Sequence, residues 1–199
     1  NLGLEIATGD FVYFVDSDDE PMPGCLHRLD DALANQPDCG IAIGANIRRT
    51  AGRIDKTKSP AGFTSDLVKN AESYLRNEIL PIAMGSALVR RSAVGPARFP
   101  EKAGLDEDTI FWAAVLTHAM PATVPYAVLV YHHDESRMKQ RFLTDAGSAL
   151  RHISEALDRL AGFGVGIDAL NWRKAWISRR IARELVHAGR HAEASSFLK

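Results

Sequence analysis

Cysteine is scarce: Cys25 and Cys39 are the only two in 199 residues, too few and too far apart for a zinc cluster or a disulfide framework. They suit a reducing compartment and are expected as buried thiols. Long hydrophobic runs are missing as well. No stretch approaches the ~20 consecutive apolar residues that cross a bilayer, and residues 1–5 have neither the basic start nor the apolar run of a signal peptide. A chain that neither spans nor is targeted to a membrane is expected, with a cytoplasmic location. Net charge is nearly absent, 24 Lys and Arg against 25 Asp and Glu, and no nucleic-acid partner is expected. What is present, 46% hydrophobic and 25% charged residues, excludes disorder and collagen-like arrays and suffices for one substantial core or two small ones.

The charge balance hides an asymmetry. Residues 1–138 hold 13 basic against 19 acidic side chains, whereas residues 139–199 hold 11 against 6. Solvated helix faces account for a positive tail without any partner. The alternative is an acidic partner, or peripheral contact with an anionic membrane face through Arg173, Lys174, Arg179 and Arg180.

Along the chain, residues 1–8 read as the last turns of a helix closed by a glycine cap at Gly9. Phe11, Val12, Tyr13, Phe14 and Val15 form a continuous apolar run, the pattern of a strand covered on both faces. Leu26, Leu29 and Leu33 predict an amphipathic helix ending before Pro37, and a strand follows over 39–47. Residues 48–59 read as a hairpin tip or loop. Thr64 or Ser65 caps a helix to about Asn77, 87–90 is a short strand, and 92–105, with Gly95, Pro96, Pro100 and Gly104, is irregular. From Asp106 a helix presents Ile110, Phe111, Ala114 and Val115 on one face. Residues 122–132 are strand-like, and helices are predicted at about 138–160, 171–188 and from His191. Residues 185–194 look like half a helical repeat; with no second copy they are read as part of a helical appendage.

The most informative feature is the acidic cluster Asp16, Asp18 and Asp19 directly after the apolar run. Strand ends in open α/β sheets feed loops into ligand crevices, and clustered carboxylates repel one another unless something positive offsets them. A hard divalent cation is the natural candidate; helix capping with solvent exposure is the alternative. An EF-hand beginning at Asp16 would need Gly and Glu where Pro21 and His27 stand, so that reading fails. Asp16-Ser17-Asp18 is also similar to the start of a haloacid-dehalogenase-like phosphatase, with Asp16 as nucleophile, although Glu20 departs from that pattern.

A longer pattern accounts for more of the chain. Asn1-Leu2-Gly3, Ala7, Gly9-Asp10, Val15-Asp16-Ser17-Asp18-Asp19 and Pro21, in that order and spacing, resemble the central segment of family 2 glycosyltransferases, which adopt the GT-A fold. Gly85 to Arg91, Phe99-Pro100-Glu101 and Glu107-Asp108-Thr109-Ile110-Phe111-Trp112 are similar to that family's acceptor-side region. Val130 to Met138, with His132 and His133, is similar to its closing segment.

The resemblance implies a mixed α/β sheet flanked by helices, GT-A-like and incomplete at the N-terminus, over residues 1–138, with a helical appendage over 139–199. It implies a metal-dependent inverting glycosyltransferase that moves a sugar from a nucleotide-sugar donor to a glycan or other hydroxyl acceptor, in glycan or cell-envelope synthesis. Asp16 and Asp18 would bind the donor; Asp18, Asp19 and His133 would hold Mn²⁺ or Mg²⁺; Asp108 would be the catalytic base, with Glu107 and Trp112 on the acceptor side. The helix dipole is expected to depress Asp108 unless burial offsets it. About two βαβ units, roughly 30 residues each, are expected upstream of Asn1, so residues 1–199 alone are expected to self-associate and to transfer no sugar. A non-catalytic binding module with a basic helical tail is the reading from another class.

Overall fold

A computed structural model describes residues 1–50, 53–54, 57–132 and 143–198. The elements in chain order are α1 (Leu2–Ile6), β1 (Phe11–Tyr13), β2 (Glu20–Pro21), α2 (Cys25–Asn35), β3 (Cys39–Thr50), β4 (Arg53–Ile54), α3 (Leu67–Leu75), β5 (Ala87–Arg90), α4 (Arg91–Val94), α5 (Glu107–Leu116), β6 (Met120–His132), α6 (Ala146–Arg159), α7 (Ile167–His187) and α8 (His191–Ser196). His133 and the expected start of the helix at 138 lie outside the described residues.

The strands form one mixed sheet in the order β1-β5-β3-β6-β2, with β4 folded back on β3 as a hairpin. Among the described residues only β3 and β6 pair in parallel, from Cys39 opposite Met120 to Arg49 opposite His132. Because β5 is antiparallel to both β1 and β3, the strands β1, β3 and β6 all point the same way. Their carboxyl ends therefore open on one side of the sheet, where open α/β sheets place ligands.

Period-2 alternation sorts the side chains onto two faces. Ala42, Leu88 and Leu129 pack with Cys25, Leu29 and Leu33 of α2. Ile41, Ile43 and Val89 pack on the opposite face in a core that includes α3, α5, α6 and α7. Ile153, Leu157, Ile177 and Ile181, from the helices after residue 139, belong to this same core.

Several expectations are corrected. The first helix ends at Ala7 in extended conformation, with Gly9 playing no left-handed cap role. The apolar run is a strand for three residues only, half-buried at the sheet edge and paired with β5 alone among the described residues. Phe14 leaves the sheet to join an aromatic cluster, its ring 5.3 Å from Phe111, 5.4 Å from Phe99 and 5.9 Å from Trp112. The apolarity of Phe14 therefore reflects cover from α5 and the Phe99 loop after the strand has ended, while Val15 is exposed.

Leu26 is exposed, and Cys25, Leu29 and Leu33 make the buried stripe of α2. Asp66, rather than Thr64 or Ser65, caps α3 by accepting from the Lys69 amide at 3.0 Å. Helix α4 interrupts the stretch expected to be irregular, and α7 begins at Ile167, before the expected 171. Helix α5 is buried from Thr109 through Leu116 on every side, so its 3.6-residue period carries no amphipathic signal.

The β3–β6 pairing depends on a glycine. The register shifts between Gly44 and Ala45, with Pro125 and Tyr126 bulging out of β6, and a Cβ on Gly44 would collide with both γ-carbons of Val128. Gly44→Ala is expected to destabilise the protein by about 1–3 kcal/mol through overpacking. Urea unfolding measures it; an unchanged midpoint would show that the sheet relaxes around the added methyl.

Candidate active site

An open cleft of about 1780 Å³ lies at the shared carboxyl ends of β1, β3 and β6. Tyr13 to Asp16 come from the end of β1, Asn46 and Arg48 from β3, and Tyr131 from β6. The opposite wall is built by Asp106, Glu107 and Asp108 at the start of α5, and by Arg173, Trp176 and Arg180 of α7.

Of the expected site residues, Asp16, Glu107 and Asp108 line this one cleft. Asp18 and Asp19 sit on the turn after Asp16, closed by the Asp19 amide donating to the Asp16 carbonyl at 3.1 Å, and are not among its lining residues. Asp18 is exposed. Asp19 is half-buried: its Oδ1 accepts from the His132 backbone N–H at 3.0 Å, while its Oδ2 is buried with no partner among the described residues. Burial pushes Asp19 up to about 6, with Asp16 and Asp18 adding repulsion against the His132 amide. Burial, followed by the Asp18 charge, also raises Asp16. Glu20 is engaged elsewhere, with Oε1 2.9 Å from His132 Nε2 and 3.3 Å from Arg49 Nη1. Among the described residues no three His, Cys, Asp or Glu side chains converge as a ready-made metal cage. His133 lies outside those residues.

Trp112 does not belong to the acceptor side. It is 0% exposed, packed edge-on against Phe14 and Phe111, and offers no ring face to a ligand.

Asp108 also departs from expectation. Its Oδ1 accepts from the Thr109 backbone N–H at 2.7 Å, yet its carboxyl is pushed up to about 6. Burial is the largest cause, then the charges of Asp106 and Glu107, which outweigh the Thr109 amide and Arg173. Desolvation and like charge thus overcome the helix terminus that was expected to depress it.

Asp106, two positions before it, is marked by the sequence only as the start of this helix. Asp106 stands before α5 with φ +64 and makes no side-chain cap bond. Its carboxylate instead meets Arg173, with Oδ2 2.6 Å from Nε and 2.5 Å from Nη2. Both side chains are 4% exposed, so removing either partner alone would strand a buried charge at a cost of about 3–5 kcal/mol. Arg180 Nη1 approaches the other oxygen at 3.8 Å, and the Trp176 ring lies beneath both guanidiniums, 4.5 Å from Arg173 and 5.6 Å from Arg180.

A signal for Arg173 was available: it falls on the stripe of Ala169, Leu170, Ile177 and Ile181, where an arginine must be paired. Its burial removes it from the basic surface expected to face a membrane. Arg180 lines the cleft, Lys174 pairs with Asp158 at 2.5 Å, and Arg179 is exposed. No helix among the described residues is long and apolar enough to cross a membrane.

A curled mixed sheet flanked by helices, with a carboxylate-lined cleft at its parallel strand ends, is a GT-A-like architecture. Residues 1–95 match the family model of glycosyl transferase family 2, which supports membership of that family. The Asp16–Asp19 turn and β5 fall inside the match; Asp108 and α7 lie beyond it. Among curated proteins, none matches the chain.

The raised carboxylate has a stability signature. Between the usual aspartate value near 3.9 and about 6, the folded state binds a proton at Asp108 that the unfolded chain releases, so stability falls as pH rises through this window. Asp108→Asn is expected to stabilise the protein by about 1–3 kcal/mol at pH 7.5 and to change little at pH 4. Equal effects at both pH values in thermal unfolding would mean that Asp108 carries no ionisation penalty in the fold.

Proposed function

We propose that the chain carries the catalytic and acceptor-side part of a metal-dependent inverting glycosyltransferase that transfers a sugar from a nucleotide-sugar donor to a hydroxyl acceptor in glycan or cell-envelope synthesis. The observation that carries this reading is the meeting of two carboxylate sets in one cleft: Asp16 at the end of β1, and Asp108, held near 6, at the start of α5. A base acting near neutral pH needs a pKa close to that value.

In this reading Asp108 accepts the proton of the acceptor hydroxyl as its oxygen bonds to the anomeric carbon. The bond from that carbon to the donor phosphate breaks on the opposite face, and its electron pair leaves with the nucleoside diphosphate. Glu107, exposed beside Asp108, contacts the acceptor, and Asp16 and Asp18 hold the donor. Residues 1–138 make up the catalytic part, and the helices of 139–199 close the acceptor wall.

The acidic turn fits a divalent ion. Asp19 has a buried oxygen with no partner among the described residues, and burial, then mutual repulsion, raises Asp16 and Asp19; a cation would stabilise their charged forms. Mg²⁺ and Mn²⁺ are commonly held by one or two carboxylates together with substrate phosphates, so a complete protein cage is not required. Asp18, Asp19 and His133 are the proposed ligands. When bound, the ion would neutralise charge on the leaving diphosphate.

Two measurements test this. Asp108→Asn is expected to lower transfer by roughly 10²–10⁴ with donor binding nearly unchanged, and wild-type activity should fall as pH drops through about 6; full turnover by the variant would reduce Asp108 to a structural role. Asp18→Asn is expected to weaken metal-dependent nucleotide binding by a few kcal/mol. Calorimetry showing the same affinity would remove Asp18 from the ligand set.

A further inference from the structure

Two non-glycine residues among those described have positive φ, Asn77 at 58° and Asp106 at 64°. They lie 29 positions apart in sequence, one after the end of α3 and one before the start of α5. Both accept hydrogen bonds from the same side chain. Arg173 Nη1 donates to Asn77 Oδ1 at 2.8 Å, and Nε donates to Asp106 Oδ2 at 2.6 Å. The same guanidinium also donates to the Leu75 carbonyl at 3.3 Å and to Thr109 Oγ1 at 3.4 Å.

Left-handed backbone at a residue other than glycine is held by its surroundings, and such positions gather at functional sites. Here the surroundings are one buried fork of donors from α7, a helix outside the family match. The Asp106 carbonyl accepts the first intrahelical bond of α5, from the Ile110 amide at 3.0 Å. Asp108 stands between these two residues, so the setting of Asp106 sets the direction of the Asp108 carboxyl.

We propose that Arg173 is a positioning residue for Asp108: its guanidinium clamps the left-handed turns at Asn77 and Asp106, and thereby α7 fixes the acceptor wall of the cleft. The proposal rests on the reading of Asp108 as the base. Lysine cannot replace arginine in this role, because one ammonium nitrogen cannot reach four acceptors spread around a planar fork.

The titratable and charged groups facing Asp108 are Asp106 and Glu107 on its own segment, Arg173 of α7, the Tyr74 phenol of α3 and the Tyr131 phenol of β6. Asp106 acts on Asp108 more strongly than Arg173 does, which gives two variants opposite signatures.

The test uses the full chain, with ¹³C-labelled aspartate to follow the Asp108 carboxyl titration and amide exchange to follow Ile110. Arg173→Lys and the charge-neutral double variant Asp106→Asn/Arg173→Gln are compared with wild type after thermal unfolding has shown which are folded. The double variant leaves no buried charge stranded, so it carries the test if the lysine variant does not fold. Exchange at Ile110 is expected to quicken about tenfold or more in each folded variant. The Asp108 midpoint is expected to rise slightly in Arg173→Lys, whose ammonium sits differently from the guanidinium, and to fall in the double variant, which loses the stronger Asp106 charge. General loosening would hydrate Asp108 and lower both midpoints, overturning the proposal; unchanged Ile110 exchange in a folded variant would overturn it too. None of these readouts requires sugar transfer, so failure of the base assignment is seen separately, as full transfer by Asp108→Asn.

Discussion

The parallel pairing of β3 with β6 is the constraint from which the rest of the architecture follows. It aligns the carboxyl ends of two long strands, Arg49 opposite His132, and through β5 it orients β1 the same way. The backbone of β6 then supplies the amide that Asp19 accepts, while the end of β1 delivers Asp16 to the cleft. The pairing tolerates no side chain at Gly44, because Val128 occupies that space. It survives the bulge at Pro125 and Tyr126 and a second shift after Ala127 because the register resumes with Asn46 opposite Leu129, and Leu129 packs on the α2 side of the sheet.

Carboxylates gather on both walls of the cleft, and their energetics differ. On the β1 side the acids repel one another and Asp19 has a buried oxygen with no partner among the described residues, a situation relieved by a cation or by protonation. On the α5 side one acid, Asp106, is neutralised by Arg173, and its neighbour Asp108 is left with the desolvation cost. Pairing Asp106 with Arg173 while Asp108 is raised separates an ion-paired carboxylate from a readily protonated one within three residues. The same device appears wherever neighbouring titratable groups are driven apart by their environments.

Elements governed by local periodicity were legible in the sequence. The strand at 87–90, the core of β3, the hairpin after it and the position of α2 agree with expectation because alternation and helical spacing survive any tertiary arrangement. The strand assigned to residues 11–15 was too long, because an apolar run records burial without recording which partner provides it, and Phe14 is covered by α5 and Phe99. Helix α5 defeated the amphipathic template for a related reason: a central helix is apolar on all sides. The resemblance puts Trp112 on the acceptor side, whereas a tryptophan on such a helix is more often core; its depth depends on α5 being enclosed, which no local pattern states.

What the sequence by itself determined is the chemistry of the two acidic segments, their family resemblance, and the alternation that builds the sheet. These are properties of neighbours along the chain. Only the tertiary structure decided that Asp16 and Asp108 share a cleft, that Asp108 is held near 6 against the pull of its helix terminus, and that Arg173 belongs to the site's wall. A carboxylate's ionisation is set by the water and charges that folding removes or brings near. Asp106 and Arg173, 67 positions apart, acquire their meaning only when α7 is laid against α5.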